Sequence, residues 1–273
     1  MISNKSVLPV VADIRLSSLG DNLPSAYPAP GNRANAANVS IAKTEEDTMP
    51  EDPRCAFLFD LDGTLVDSVY QHVLAWHEAL DQEGIHLSIW RIHRKIGMSG
   101  GLFTNMLLRE IGLELDPARI ERLRQLHAAA YNARAADVRP LPGARDLLAS
   151  LKNAGVPWAI ATSGRMETAR PPLESLGVDF AHDVIVTRDQ VRYAKPNPDL
   201  FLAAAERLGC DITYASVVGD SIWDMLASRR ARALGIGVLS GGYGLEELER
   251  AGAYRVYDDP ADLLRHFDEV GRR

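Results

Sequence analysis

Arg54-Cys-Ala-Phe-Leu-Phe-Asp-Leu-Asp-Gly-Thr-Leu-Val66 is the stretch that decides how the rest of the chain is read. Ala56 to Phe59 form a short apolar run bounded by polar residues, the pattern of a strand buried in a sheet between helices. Two carboxylates, Asp60 and Asp62, follow it directly. On extended backbone, residues two apart leave the same face, and Gly63 lets the chain turn sharply just beyond them. Acids at the carboxyl end of a strand stand where α/β sheets bind ligands. Two such charges about 4 Å apart repel by roughly 4 kcal/mol at an effective dielectric of about 20. A metal ion, a lysine or a shared proton has to offset that repulsion.

The bulk composition narrows the function classes. The 273 residues allow one large domain or two modest ones, and 46% hydrophobic with 25% charged residues describes an ordinary globular chain. A net charge of -7 favours neither nucleic acid nor an anionic membrane as partner. No run of about 18 uncharged apolar residues predicts a membrane span. Cys55 and Cys210 lie in apolar surroundings, which points to a reducing cytoplasm and away from a disulfide framework. Residues 1–53 carry scattered prolines, many Asn, Ser and Ala, and no sustained period. They are expected to be a disordered extension, with Met49 as an alternative start and the Asn38-Val-Ser40 sequon as chance.

Further along, Val69, Val73, Trp76 and Leu80 recur at helical spacing, with Asp67 or Ser68 as the cap. Leu87 to Lys95 is mixed, and Ile96 to Gly101 reads as a flexible loop. Phe103 to Ile111 and a helix starting at Asp116-Pro117 complete an all-helical insert over 69–138, with Arg119, Arg122 and Arg124 read as a solvated face. From Leu141 the pattern alternates: helix to Ala154, strand 156–161, helix, strand 184–187, helix from Asn197-Pro198, strand 215–218, helix, strand 236–239, and two short helices. Alternation of this kind predicts a parallel sheet with right-handed crossovers. Pro171-Pro172 is expected to break the helix that contains it.

Four strand ends bring polar residues to one sheet edge: Asp60/Asp62, Thr162-Ser163, Lys195, and Asp220/Asp224. Singly, each has a structural explanation as turn, cap or loop. Together, an acid pair, a hydroxyl, a cation and a second acid pair describe a magnesium and phosphate site. Only five lysines occur against 25 arginines, which makes Lys195 less incidental.

Asp60-Leu-Asp-Gly-Thr64, Thr162, Lys195-Pro-Asn-Pro198 and Gly219-Asp-Ser-Ile-Trp-Asp224 resemble, in order and spacing, the four motifs of the haloacid dehalogenase-like superfamily. The resemblance spans about residues 54 to 240. It implies an α/β fold, a Rossmann-like catalytic core from 54–68 and 139–273, and a mobile helical cap from 69–138. It implies that Asp60 is a nucleophile that forms an aspartyl-phosphate and that Asp62 is the general acid and base. Mg2+ is then held by Asp60, the carbonyl of Asp62, and Asp220. Thr162 and Ser163 would bind the phosphoryl group, Lys195 would neutralise it, and Asp224 and Gly63 would support the site.

Dehalogenase members lack an acid two residues after the nucleophile, so Asp62 points to phosphoryl transfer. Gly219 resembles the phosphoglycolate phosphatase branch, and the implied activity is hydrolysis of a small phosphomonoester from a phosphorylated metabolite. Two alternatives stand beside it: a β-phosphoglucomutase-like phosphotransferase and a non-catalytic phospho-ligand-binding protein. Arg94, Lys95 and Ser99 are candidate contacts to the second phosphate of a mutase but read more simply as surface residues, and Arg165 is a candidate substrate contact or equally a helix-start arginine. His72, His77, His86 and His93 do not have zinc-ligand spacing and read as solvated or capping residues. Tyr70 and Trp76 read as cap packing, and Gly241-Gly-Tyr-Gly244 as a loop.

Overall fold

The computed structural model describes residues 56–270. The extension expected over 1–53, Met49, the sequon and Cys55 lie outside them.

The chain runs through β1 (Ala56–Phe59), α1 (Val69–Gln82), α2 (Ile89–His93), α3 (Gly100–Glu110) and α4 (Pro117–Asn132). It continues through α5 (Ala144–Asn153), β2 (Trp158–Ala161), α6 (Met166–Leu176), β3 (Val184–Val186) and α7 (Asp199–Leu208). Last come β4 (Ala215–Gly219), α8 (Ile222–Ala231), β5 (Leu234–Val238), α9 (Leu245–Ala251), β6 (Ala253–Tyr257) and α10 (Pro260–Arg265). The six strands form one parallel sheet in the order β3-β2-β1-β4-β5-β6. The α/β, Rossmann-like architecture expected from the alternation is therefore present.

Strand alternation explains why the sheet is covered on both sides. Phe57 and Phe59 point to one face and pack with Leu147, Leu151, Leu173 and Leu263 of α5, α6 and α10. Ala56 and Leu58 point to the other and pack with Leu200, Phe201 and Ala204 of α7. Each buried Phe or Leu contributes about 1.5–3 kcal/mol of apolar transfer, so this short strand anchors two cores at once.

β1 is central, and register carries its end to the site. Phe59 pairs with Ile160 of β2 and with Val218 of β4, and the Asp60 N–H donates to the Val218 carbonyl at 2.9 Å. The first helices, α1 to α4, pack round a separate cluster that includes Val73, Trp76, Leu80, Phe103 and Leu123. The chain leaves the sheet and returns to it through two paired segments: Asp67 N–H donates to the Arg139 carbonyl and Leu141 N–H to Leu65, each at 2.9 Å.

Several local expectations are corrected. α6 runs unbroken through Pro171 and Pro172. Its stripe of Ala169, Leu173 and Leu176 is buried in the core, and that packing outweighs the two backbone hydrogen bonds the prolines cannot make. The expected loop over 96–101 ends earlier, because Gly100 and Gly101 are the first residues of α3. The mixed stretch before it contains α2, and β6 forms an outer strand not foreseen, two of whose five residues are exposed. The cap of α7 is Pro198 rather than Asn197. Ser68 is the N-cap residue of α1, but its hydroxyl makes no capping bond and is used elsewhere.

Candidate active site

Asp60 ends β1 with its side chain almost wholly buried, and Lys195 is fully buried beside it at 0% exposure. The ammonium donates to Asp60 Oδ1 and lies 2.8 Å from Asp224 Oδ1. Burial works against the lysine's charge, yet the fields of Asp224 and Asp60 outweigh it and push its pKa up to about 12. Burial likewise pushes the Asp60 carboxyl up to about 7, with Asp224 and Asp62 adding to the rise and Lys195 opposing it.

Asp220 follows β4 directly, and Asp224 stands in the first turn of α8. Asp220 Oδ1 accepts from Thr64 Oγ1 at 3.1 Å, and Asp224 Oδ2 accepts from Ser221 N–H at 3.1 Å and Ser221 Oγ at 2.5 Å. Burial, then repulsion from Asp224 and Asp60, hold the Asp220 carboxyl well above the usual range. Two glycines allow this crowding. A Cβ at Gly241 would stand 1.7 Å from Asp220 Oδ2, and one at Gly63, whose φ is +83°, would stand 2.7 Å from the same oxygen.

Asp60, Asp220 and Asp224 each offer a carboxylate oxygen, all within 4.8 Å of one another. Three buried carboxylates that offer only oxygen donors suit a hard divalent cation better than a soft one. The donor set therefore fits a metal, although Asp224 is already committed to Lys195 and Ser221.

Asp62 lies in a different setting. Its Oδ1 accepts from Ser68 Oγ at 2.5 Å and stands 3.2 Å from His72 Nε2, and Oδ2 is 3.5 Å from Thr162 Oγ1. Burial works upward on its pKa, but the charge and hydrogen bond of His72 and the bond from Ser68 hold it below the ordinary value. Thr162 Oγ1 accepts from Gly164 N–H at 2.9 Å. Among the described residues, the Ser163 hydroxyl is buried with no hydrogen-bond partner, a donor open to an incoming anion.

The cap candidates have partners. Arg94 pairs with Glu247 of α9 and stacks over Tyr243, Lys95 pairs with Glu110 at 2.5 Å, and the Ser99 hydroxyl accepts from Leu102 N–H as the α3 cap. Arg165 pairs with Asp189 at 2.9 Å. Lys95 and Arg165 line the cleft of about 350 Å³ that opens beside Asp60 and Asp62, and Arg94 and Ser99 do not.

His72, His127 and Tyr131 were missed as site residues, and the reading of Arg124 as solvated is corrected. His72 Nδ1 lies 3.2 Å from His127 Nε2, and the His72 ring stacks on Tyr131 at 3.8 Å between centroids. Burial, then the neighbouring His72, keep the His127 pKa well below the ordinary value. Arg124 lines the cleft. The available signal was the i, i+4 spacing of Ser68, His72 and Trp76 along α1 and of His127 and Tyr131 along α4. His77 and His86 bind Asp81 at the surface, and His93 Nε2 lies 2.9 Å from the Gly241 carbonyl. Tyr70 is exposed and stacks on His93, whereas Trp76 is buried in the insert core.

Residues 56–232 match the family model described as haloacid dehalogenase-like hydrolase. The chain is 30% identical over 217 residues to the N-acetylmuramic acid 6-phosphate phosphatase of Pseudomonas aeruginosa, a match covering 79% of this chain and 95% of that protein. It is 30% identical over 207 residues to the phosphoglycolate phosphatase of Caulobacter vibrioides, over 75% of this chain and 87% of that protein. A solved structure, a hydrolase from Pseudomonas syringae, is 56% identical with a TM-score of 0.78, over 80% of this chain and 99% of that one.

Proposed function

Because the chain belongs to the haloacid dehalogenase-like hydrolases and is a phosphoric monoester hydrolase, we propose that it cleaves a small phosphorylated metabolite through an aspartyl-phosphate on Asp60. The observation that carries this reading is the contrast between its two carboxylates. Asp60 is wedged against a buried ammonium, and Asp62 is held by Ser68 and His72 with one oxygen turned toward Thr162.

In this reading Asp60 attacks phosphorus, and Asp62 protonates the leaving alkoxide and later takes a proton from the water that releases phosphate. Lys195 draws charge from Asp60 and the phosphoryl oxygens, and Thr162 and Ser163 donate to them. Mg2+, held by Asp60, Asp220 and the Asp62 carbonyl, would lower the Asp60 pKa and neutralise phosphate charge. In the protein alone, Asp60 is the weaker acid and Asp62 the stronger, the reverse of what attack and proton donation need. A cation beside Asp60 and a phosphate dianion beside Asp62 each act in the required direction.

The helical insert, 69–138, acts as a cap that closes the cleft and excludes bulk water during transfer. A mutase would need cap cations with charge to spare for a second phosphate, and the pairing of Arg94 with Glu247, Lys95 with Glu110 and Arg124 with Glu121 favours hydrolysis. No helix among the described residues is long and apolar enough to cross a membrane. The composition fits work in the cytoplasm on a freely diffusing substrate.

Phosphate release from a panel of phosphate esters with Mg2+ tests the reading. Turnover that vanishes in Asp60→Asn supports it. Turnover unchanged in Asp60→Asn would falsify it, and an isomerised sugar phosphate without net phosphate loss would replace it with the mutase.

A further inference from the structure

We infer that the face of α4 formed by Glu121, Arg124, Gln125, Ala128, Ala129 and Asn132 is the subsite for the leaving group. It takes an uncharged, polyhydroxylated group, so the substrate is a phosphorylated sugar or polyol rather than a short phospho-acid. This rests on the phosphatase reading above and adds the class of ester.

The six positions step by three and four along one helix, so they share one face, and all six line the cleft beside Asp60 and Asp62. The opposite side of α4, with Leu123, Ala130 and Tyr131, is buried. The short side chains of Ala128 and Ala129 leave width where longer residues would fill it. At about 350 Å³ the cleft is of a size that houses a metabolite several carbons long.

The polar groups of this wall are balanced rather than cationic. Arg124 Nη2 lies 3.0 Å from Glu121 Oε2, and Arg124 Nε is buried with no hydrogen-bond partner among the described residues. A hydroxyl both donates and accepts, so neighbouring hydroxyls can take the free Arg124 N–H and give to Glu121, with Gln125 and Asn132 offering both roles. A carboxylate at the same place would accept from Arg124 but face the like charge of Glu121.

Of the other cleft cations, two are neutralised by acids and the third is turned to backbone carbonyls. Lys95 is on Glu110, Arg165 is on Asp189, and Arg188 Nη1 donates to the Val191 carbonyl at 2.7 Å. Trp76 borders the cleft from the insert core, its ring stacked on Phe103 at 4.3 Å and on His127 at 4.2 Å, which fixes the wall from which α4 faces the substrate.

The test compares kcat/KM for hexose 6-phosphate, hexitol 6-phosphate, 2-phosphoglycolate and p-nitrophenyl phosphate in wild type, Arg124→Met, Arg124→Lys and Gln125→Leu. The expected wild-type preference for the better of the two six-carbon esters over 2-phosphoglycolate is tenfold or more. In Arg124→Met the ratio of that ester to p-nitrophenyl phosphate falls roughly 10–100-fold, the loss of a hydrogen bond from a charged donor, and Arg124→Lys recovers part of it. Gln125 is exposed, so Gln125→Leu reads the same ratio without a folding risk. A preference for 2-phosphoglycolate, or an unchanged ratio in both Arg124→Met and Gln125→Leu, overturns the subsite. Failure to cleave any ester overturns the phosphatase reading and the subsite with it.

Discussion

His72 Nε2 stands 3.2 Å from Asp62 Oδ1, so the acid that follows the first strand is tied to the first helix of the insert. Ser68, one helical turn earlier, donates to the same oxygen. Two donors on one oxygen leave Oδ2 facing Thr162 and the cleft. Replacing His72 by Asn should lower kcat roughly 10–100-fold, the usual loss when a supporting hydrogen bond to a working group is removed, with little change in KM. Steady-state kinetics on one ester decides it: a KM effect at constant kcat would make His72 a ground-state binding residue instead.

The same contact shows where the sequence was legible and where it was not. Asp60, Thr162, Lys195 and Asp220 could be read because a parallel sheet collects strand ends at one edge, so position along the chain predicts position in space. His72 and Arg124 could not be read that way. Which face of a cap helix looks toward the sheet depends on how the insert docks, and that is set by contacts far apart in the chain, such as His93 with Gly241 and Arg94 with Glu247. Ser68 sits at the N-cap, where its oxygen would accept from a backbone N–H, but the rotamer that donates its O–H to the Asp62 carboxylate makes no such bond. The sixth strand offers no buried run to read, because only its last residue, Tyr257, is fully buried.

Lys195 compensates two buried acids at once. Removing its charge by Lys195→Met leaves Asp60 and Asp224 unpaired in the interior, a change that costs about 3–5 kcal/mol in comparable buried pairs. For a fold of this size the melting temperature should drop by roughly 6–20 °C. Differential scanning fluorimetry in EDTA and in Mg2+ reads it. The loss should be smaller in Mg2+, because a bound cation replaces part of the missing charge.

Metal removal should also reverse the pH response expected of an ordinary carboxylate site. Asp60 and Asp220 have folded-state pKa values above their unfolded ones, so the metal-free protein takes up protons at these groups on folding. The stability this adds is complete below the unfolded value near 3.8 and is lost as pH rises through the folded one, about 7 for Asp60. Asp62, whose pKa is lowered, acts oppositely, but only as pH falls below that unfolded value. The melting temperature in EDTA should therefore fall between pH 5 and pH 8, and Mg2+ should raise it at pH 8. A rise across that interval would contradict the crowding of the three acids.

Gly241 makes room for Asp220. A methyl group there would overlap Asp220 Oδ2 at 1.7 Å, and a Cβ at Gly63 would stand 2.7 Å from the same oxygen, so the carboxylate fits only between two glycines. Gly241→Ala should therefore push the carboxylate out of the acid cluster and weaken Mg2+ binding roughly tenfold or more, with the fold retained. Isothermal titration with Mg2+, paired with circular dichroism, separates a lost ligand from a lost fold.

The prolines of α6 supply a prediction on stability alone. Pro171 is exposed and has no N–H to give to the Glu167 carbonyl, while Pro172 is buried and packs on the core side of the helix. A proline inside a helix costs about 3 kcal/mol relative to alanine, and its restriction of the unfolded chain returns up to about 1 kcal/mol. Pro171→Ala should then stabilise the protein by about 1–2 kcal/mol and raise its melting temperature by roughly 2–8 °C. Pro172→Ala should gain less, because it gives up buried ring contacts together with the strain. If Pro171→Ala melts lower than wild type, the helix is held by something other than the buried stripe of Ala169, Leu173 and Leu176, and the argument that packing carries it through the prolines fails.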